Sequence, residues 1–157
     1  MTIFLWHIFM AAVWAFAVGN FSLPDLAVGF GLGYVILWLG GDLIGASAYC
    51  RRVPRLAELV LFFLWQLLLA NLRVAVDVMT PRHRMRPAII ALPLDVETDI
   101  EILLLTNMIT LTPGTLSLDV SPDRRVLYVH SMYIRDVEEE KHTLKNGFER
   151  RLLEVMR

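Results

Sequence analysis

The first fifty residues hold two long hydrophobic runs with almost no polar interruption. From position 2 to position 23 there is no charged side chain, and a helix of this length reaches about 33 Å, more than a hydrocarbon core of about 30 Å. Breaker residues at 19–24 end this run, and only Asp42 interrupts the second. The pattern predicts two transmembrane helices within residues 1–50, at about 2–23 and 25–45.

Asp42 is a candidate intramembrane or interfacial residue. Ionising a carboxylate inside a bilayer is costly, so such a group often marks an ion path. The preceding Gly40-Gly41 pair favours the other placement, in which the helix ends at the glycines and Asp42 lies at the wet interface. If Asp42 takes part in cation or proton transfer, Asp42→Asn lowers exchange without lowering assembly.

A third membrane-associated helix, which is amphipathic, is predicted at residues 54–80. It begins after Pro54 and ends before Pro81. Its centre carries no charge, and Asn71 lies outside its polar stripe. The stripe is narrow because its members fall within about 100° of one another on a helical projection. Four side chains form it: Glu58, Gln66, Arg73 and Asp77.

Two placements fit this third helix. It spans the bilayer with the stripe toward protein partners, or it lies in the interface with the stripe toward water. The positive-inside tendency assigns both flanking basic clusters to the cytoplasm, which favours the interfacial placement and a cytoplasmic N-terminus. The clusters are Arg51, Arg52 and Arg55 before the helix, and Arg82, Arg84 and Arg86 after it.

Residues 86–157 predict a small α+β domain with the order strand, helix, strand, strand, helix. Strands are expected at 87–96, 116–120 and 126–129, and an amphipathic helix at 136–157. The first helix starts at a capping box, Thr98 to Glu101, and we expect it to be a buried domain helix. Its side chains at three- and four-residue spacing are Ile100, Leu103, Leu104, Asn107, Met108 and Leu111.

The expected fold is therefore an α-helical membrane hairpin followed by a small cytoplasmic α+β domain, close to half of a ferredoxin-like fold. Composition agrees with a membrane protein, since hydrophobic residues make up 56% of the chain and charged residues only 20%. The net charge of −1 combines a basic segment at 51–86 with an acidic one at 87–157. The acidic charge of the domain would repel phosphate and disfavours a nucleic-acid binder.

The sequence shows no active site. Its four histidines are not spaced as metal ligands, its single cysteine excludes a disulfide framework, and no phosphate loop or nucleophile motif is present. We expect no enzymatic activity, no cofactor and no bound metal. The basic segment at 82–86 is most simply an anchor for membrane lipid.

The most distinctive segment is 105–116, which combines a helix end, a Pro-Gly turn and the start of a strand. An aliphatic strand and a hairpin return ending in Val-His follow it. This run resembles the N-x-ITLTPGT signature of the E-subunit family of multisubunit Mrp-type Na+(K+)/H+ antiporters, and the likeness extends over nearly the whole chain. The residues that carry it are Asn107, Thr110, Thr112, Pro113, Gly114, Thr115, Asp119 and His130, with Asn71 upstream.

The resemblance implies an accessory, non-catalytic subunit of a bacterial plasma-membrane complex that exchanges Na+ or K+ for protons. Large subunits A and D would carry the ion paths, and the small subunits B, C, F and G would be its neighbours. The chain would be multi-pass with a cytoplasmic C-terminal domain. One alternative stays open: a membrane-anchored regulatory or ligand-sensing domain protein.

Overall fold

The computed structural model describes residues 2–80, 85–134 and 136–157. These residues form two compact units, Met1–Pro54 and Arg55–Arg157, which we call the N-terminal and the C-terminal unit. The basic residues Arg82 and Arg84 and the predicted helix stop at Pro81 lie outside the described residues.

Two apolar helices, α1 (Thr2–Val18) and α2 (Leu23–Leu39), pack along each other in the N-terminal unit. Ser22 caps α2, because its hydroxyl accepts from the backbone N–H of Asp25 at 3.3 Å. A short helix, α3 (Gly41–Ile44), follows. Both α1 and α2 contain 17 residues, so each is about 25 Å long.

The long helix α4 (Ser47–Met79) contains 33 residues and is the one helix among the described residues whose length and composition suffice to cross a membrane. It differs from the expected helix by starting at Ser47, with Pro54 inside it. Proline has no N–H for the carbonyl four residues earlier, which here belongs to Cys50. The Tyr34 hydroxyl donates to that carbonyl at 3.0 Å, so the helix continues without an unsatisfied acceptor.

The C-terminal unit contains the predicted small α+β domain. Its elements are β1 (Ala88–Pro93), α5 (Asp99–Leu111), β2 (Thr115–Val120), β3 (Val126–Ser131), α6 (Val137–Thr143), a π-helical segment (Leu144–Glu149) and α7 (Arg150–Met156). We call the last three together the C-terminal helix. The strand order is β1-β3-β2, and β3 is antiparallel to both neighbours. The predicted capping box of α5 is confirmed, since Thr98 and Glu101 bond reciprocally to backbone N–H groups.

One face of this sheet packs against α5 and the C-terminal helix. The side chains that alternate inward on β1 and β3 are almost fully buried there, and Leu59 of α4 joins the same core. The core residues are Leu92, Val96, Leu105, Ile109, Leu127, Val129, Leu144, Phe148 and Leu152, together with Leu59.

Most of the α5 side chains named for their three- and four-residue spacing do not face the core. Leu105 and Ile109 face the core together with Glu101, whereas Leu103 and Leu111 are 60% and 63% exposed. The helix is apolar on nearly every side, so a three- and four-residue spacing can be drawn on more than one face. The capping box fixes the first turn of α5, because the Glu101 side chain turns back and accepts from the N–H groups of Glu97 and Thr98.

Candidate functional site

The 105–116 segment closes α5 with two threonine hydroxyls. Thr112 Oγ1 donates to the Met108 carbonyl at 3.0 Å, and Thr115 Oγ1 donates to the carbonyls of Ile109 at 2.6 Å and Thr112 at 2.8 Å. The last carbonyls of a helix have no partner within the helix. The two threonines therefore satisfy the end of α5 and fix the path of the chain into β2.

Gly114 lies between these threonines for two independent reasons. Its φ of +90° is a backbone conformation that side chains disfavour. A Cβ atom at this position would also lie 2.9 Å from Cε2 of Tyr133. The Gly114 carbonyl accepts from the Met132 N–H at 2.8 Å, which ties the turn to the end of β3.

Thr110 and Asn107 lie on the exposed part of α5. The Thr110 hydroxyl accepts from the backbone N–H of Ser117 at 3.2 Å, which occupies a donor on the edge strand β2. Asn107 Nδ2 donates to the Leu103 carbonyl of its own helix at 2.8 Å. Thr110 thus joins α5 to β2, while Asn107 points away from the core.

Asp119 and His130 are not brought together with the turn. Asp119 is exposed at a β-bulge, where its Oδ1 accepts from the N–H of Val120 at 2.8 Å. His130 is half-buried in the central strand and pairs with Ile89 and Leu116. Because Leu127 and Val129 face the core, Asp119 and His130 belong to the opposite face of the sheet.

The remaining predicted residues lie apart from this segment. Asp42 is exposed in the first turn of α3, directly after the two glycines. Asn71 is exposed on α4, and its Nδ2 donates to the Leu67 carbonyl at 2.8 Å. Both side chains thus occupy surface positions.

A groove of about 1160 Å³ runs between the second half of α4 and the α+β domain. The 112–115 turn forms part of its wall, beside Tyr133, which follows β3 by two residues, and the acidic start of α6. Its charged and polar lining includes Gln66, Arg73, Asp77, Arg86, Asp136, Glu139 and Glu140. This groove is the place where the predicted stripe and the predicted signature meet.

Tyr133 connects the two walls of the groove. Its hydroxyl donates to Asp77 Oδ2 at 3.4 Å, and the guanidinium carbon of Arg73 lies 5.7 Å from its ring centroid. Burial, followed by the negative charge of Asp77, raises the pKa of Tyr133. The phenol therefore stays a neutral donor to a carboxylate that is itself buried.

Glu140 of α6 lines the same groove. The Ser131 hydroxyl donates to its Oε1 at 3.4 Å, and burial raises the pKa of the Glu140 carboxyl, against the opposing effect of Arg73. Glu140 and Tyr133 carried no sequence signal, because their partners lie on other elements. Arg73 and Asp77 did carry one, as members of the stripe.

The polar stripe of α4 packs against the domain of the same chain. Arg151 Nε lies 3.3 Å from Glu58 Oε1, and its guanidinium carbon lies 4.2 Å above the Phe62 ring. Phe62 meets Phe148 edge to face at 5.3 Å, and the π-helical segment brings Gly147 beneath it. Neither expected placement of the stripe included an intramolecular partner.

Two buried carboxylates hold the loop between β1 and α5. Glu149 Oε1 accepts from the N–H groups of Asp95 at 2.5 Å and Val96 at 3.0 Å. Glu101 Oε2 accepts from those of Glu97 at 2.9 Å and Thr98 at 3.1 Å, and these two bonds lower the pKa of Glu101. Four consecutive amides are therefore satisfied by side chains from two different helices.

The N-terminal unit contains a buried histidine that the sequence analysis did not single out. His7 Nε2 donates to the Phe30 carbonyl at 2.6 Å, and its Nδ1 lies 2.7 Å from the Tyr49 hydroxyl. The ring stacks on Phe30 with centroids 3.7 Å apart, and Gly33 leaves room for it. Since a carbonyl only accepts, the proton of neutral His7 lies on Nε2. Among the described residues, no group of His, Cys, Asp and Glu is arranged to hold a metal ion.

Comparison with known proteins decides the family. A family model described as Na+/H+ ion antiporter subunit matches residues 7–155. The chain belongs to this family. It is 32% identical to the Na+/H+ antiporter E-subunit of Alkalihalophilus pseudofirmus, over 96% of either chain. It is 34% identical to the E-subunit of Bacillus subtilis, over 98% of this chain and 97% of that one.

Solved structures agree with the family. A chain in the Mrp complex from Dietzia sp. DQ12-45-1b is similar with a TM-score of 0.51 and 30% identity, covering 66% of this chain and 96% of that chain. A chain of an archaeal membrane-bound sulfane sulfur reductase shares the fold, with a TM-score of 0.55 at 23% identity over 97% of this chain and 98% of that one. The resemblance to the E-subunit family is confirmed, and the family is one of membrane-bound transporter subunits rather than enzymes.

Proposed function

We propose that this chain is an accessory, non-catalytic structural subunit of a multisubunit Na+ or K+/proton antiporter. In this role it supports assembly, stability and ion exchange, beside large antiporter-like subunits A and D and small subunits B, C, F and G. The observation that carries the proposal is that the two sides of α4 have different surroundings. One side of this helix is covered by its own domain, and the other is apolar and exposed.

The contacts between α4 and the domain extend along most of the helix. They begin at Arg55, whose Nη1 donates to the Glu154 carbonyl at 3.1 Å, and end at Asp77, which accepts from Tyr133. These positions are 22 residues apart, so the contact line is about 33 Å long. A helix that crossed the bilayer with this domain attached would carry the domain's ion pairs into hydrocarbon, which is costly.

An interfacial position for α4 satisfies both of its sides. The domain then lies in water, and the exposed side chains enter the boundary of the bilayer. These side chains include Leu61, Leu64, Trp65, Leu68, Leu72 and Val76. The basic cluster that precedes them favours the cytoplasmic leaflet, and the domain is then cytoplasmic.

The remaining membrane part is a hairpin of α1 and α2. Each has 17 residues, at the lower end of what a transmembrane helix needs. The domain that follows the hairpin later in the chain has the strand order β1-β3-β2, with β3 antiparallel to both neighbours. The first three strands of a ferredoxin-like fold are arranged in the same way. The chain would thus be multi-pass, with both ends of the hairpin in the cytoplasm.

A non-catalytic role follows from the chemistry of the hairpin. The N-terminal unit has only four charged side chains, and Asp25 accepts from Asn20 at its surface. Both ring nitrogens of His7 are occupied, and two helices enclose no conduction path. Asp42, which is exposed after the glycine pair, fits an interfacial residue better than a relay group.

The signature residues have a structural part in this proposal. Thr110, Thr112, Gly114 and Thr115 fix the joint between α5 and β2, which is an assembly role rather than a transport role. A regulatory or ligand-sensing function is the second candidate. The groove of about 1160 Å³ with its mixed charges favours it, since a ligand of moderate size would fit there.

Co-purification tests the main proposal. When this chain carries an affinity tag in its own cells, we expect the other antiporter subunits to elute with it in fixed ratios. Membranes lacking the chain should lose Na+- or K+-dependent proton exchange, and the chain alone in vesicles should transport nothing. Purification as a solitary species that binds a small ligand stoichiometrically would favour the sensing function.

Cysteine labelling tests the topology. In a Cys50→Ala background, Arg52→Cys and Met85→Cys should both react with an impermeant reagent from the cytoplasmic side. Asn20→Cys, in the turn between α1 and α2, is the matched position and should react from outside. Opposite sides for the cysteines at 52 and 85 would mean that α4 crosses the membrane.

A further inference from the structure

The two edges of the sheet differ in how their outward backbone groups are satisfied. On β2 the Ser117 N–H donates to Thr110 Oγ1 at 3.2 Å. Further along the same strand, the Val120 N–H donates to Asp119 Oδ1 at 2.8 Å, and a β-bulge lies between these two positions. Side chains and the bulge thus occupy this edge, so it is closed to a further strand.

The edge of β1 is open. All six residues of β1 pair with β3 without a bulge, and the Leu94 N–H continues this ladder to the Arg125 carbonyl at 2.8 Å. Residues that bond to the neighbouring strand alternate with residues whose backbone groups face away from it. The N–H and C=O groups of Ile89 and Ala91 therefore point outward. None of the residues that the structure describes bonds to them.

Two prolines bound this open edge. Pro87 and Pro93 have no N–H, and the Pro93 carbonyl already accepts from Lys145 Nζ at 2.8 Å. Between the prolines lie only alanine, isoleucine and leucine. The stretch therefore lacks the charged side chains with which edge strands commonly avoid pairing, and the prolines limit any pairing to the residues between them.

A second copy of β1 complements the open edge in one register. In an antiparallel pair centred on Ile90, Ile89 of one copy lies opposite Ala91 of the other, and each such pair exchanges both of its hydrogen bonds. A pair centred on Ile89 would place Ala91 opposite Pro87. A pair centred on Ala91 would place Ile89 opposite Pro93. Since either shift loses donors, the prolines select the register centred on Ile90.

This pairing suits two chains in one membrane. Directly opposed residues of an antiparallel pair lie on the same face, so the helices of both copies share one face of the joined sheet. The helix α4 contacts that helical layer through Phe62, which meets Phe148, and through Glu58, which pairs with Arg151. Both α4 helices can therefore lie at one bilayer surface, where the proposed function places them.

We propose that the open edge of β1 is an interface between two copies of this chain, which joins their three-stranded sheets into one. The inference goes beyond the proposed function: its fit to the membrane rests on the proposed position of α4, but the pairing itself does not. Backbone hydrogen bonds form the interface, and Ile89 of each copy packs on Ala91 of the other.

Two differently tagged copies of the full chain, produced in the same cells, test the interface. Purification through one tag in mild detergent should retain the other copy. Ala91→Pro in both copies removes an outward N–H and leaves the ladder to β3 in place, so it should lower this retention about tenfold. Wild-type copies that do not retain each other would overturn the proposal, as would Ala91→Pro copies retained like the wild type.

Paired charges test the register without a proline in the strand. Ile89→Glu/Ala91→Lys places opposite charges against each other across the interface and should retain the second copy. Ile89→Lys/Ala91→Lys places like charges there and should retain about fivefold less of it. Both double variants change the same exposed positions, so equal retention would refute the register centred on Ile90.

Disulfide formation locates the contact. In a Cys50→Ala background, a copy with Ile89→Cys and a copy with Ala91→Cys should link on oxidation, because their Cα atoms would lie about 5.5 Å apart. Two copies that both carry Ile89→Cys are the matched control and should not link, since their Cα atoms would lie beyond the roughly 7 Å that a disulfide spans. A missing link between the first two copies, or a link to a different subunit, would overturn the proposal.

Discussion

The two units satisfy their buried polar groups with different chemistry. In the N-terminal unit the buried bonds are neutral: the imidazole of His7 with Tyr49 and Phe30, and the Tyr34 hydroxyl with the Cys50 carbonyl. In the C-terminal unit the buried acceptors are carboxylates. Glu101 and Glu149 hold four consecutive amides, and Asp77 accepts from a tyrosine.

This difference fits the proposed arrangement, in which the N-terminal unit lies in the membrane and the domain lies in water. Charged acceptors make stronger hydrogen bonds, but their desolvation is compensated only where water and counter-charges are near. Lys145 beside Glu149 and Arg157 beside Glu101 supply such charges at the rim of the domain. Neutral donors are less costly to bury in a unit surrounded by lipid, as we propose for the N-terminal unit.

The largest expected effect is on the stability of the C-terminal unit, whose buried acceptors are charged. Glu149→Ala leaves the N–H groups of Asp95 and Val96 without their acceptor and removes one of the two carboxylates beside Lys145. We expect a loss of about 3–5 kcal/mol in the stability of the C-terminal unit, because the buried network is broken from one side. Thermal unfolding of the full chain in detergent, followed by circular dichroism, measures it.

Glu149→Gln is the matched control, because its amide oxygen still accepts from both backbone groups. It should retain more than half of the stability lost in Glu149→Ala. Equal losses in the two variants would show that the carboxylate charge, rather than its hydrogen bonds, stabilises the loop.

Glu101 and Glu149 also show where sequence reasoning ended. The capping box of α5 was predictable because its partners lie three residues apart. From the sequence alone, Glu149 would be placed on the solvent-facing side of an amphipathic helix. The amides that it binds are 53 and 54 positions away, so no local pattern indicates them. The Tyr133–Asp77 pair has a separation of 56 and was equally invisible.

The buried face of α5 could not be predicted from the sequence, for a different reason. Periodicity identifies a buried face only when the opposite face is polar, and α5 is aliphatic on both. In α4 the polar stripe was found correctly, but its partner is the domain that follows it in the same chain. A polar stripe on an apolar helix predicts a polar environment and does not say which one.

The next largest effect is expected in the N-terminal unit, where the packing around His7 can be tested. A Cβ at Gly33 would lie 2.9 Å from Cδ2 of His7, whereas one at Gly31 meets nothing within 4 Å. We expect Gly33→Ala to destabilise the helix pair by about 1–3 kcal/mol, because the stacked ring cannot move aside. Gly31→Ala should be neutral or stabilise α2 by about 0.5–1 kcal/mol. Thermal unfolding in detergent compares the pair; identical shifts would refute the close contact.

A smaller effect is expected from the bond that compensates for Pro54. Tyr34→Phe leaves the Cys50 carbonyl without a donor and should cost about 1 kcal/mol. Pro54→Ala restores a helical N–H to that carbonyl. In this background Tyr34→Phe should cost clearly less, as a double-mutant cycle would show. Additive losses would mean that Tyr34 and Pro54 act independently.

The smallest effect is expected on the pH dependence of stability, through Glu101 of the C-terminal unit. Because backbone hydrogen bonds lower the pKa of Glu101 in the folded state, its stabilising contribution is complete above the unfolded pKa and is lost as the pH falls through the folded one. A protonated Glu101 still accepts weaker hydrogen bonds, so the loss is smaller than that of removing a carboxylate. Unfolding midpoints of the full chain between pH 7 and pH 3 should fall for the wild type and fall less steeply for Glu101→Gln. The same slope in both variants would assign the acid sensitivity to other groups of the C-terminal unit.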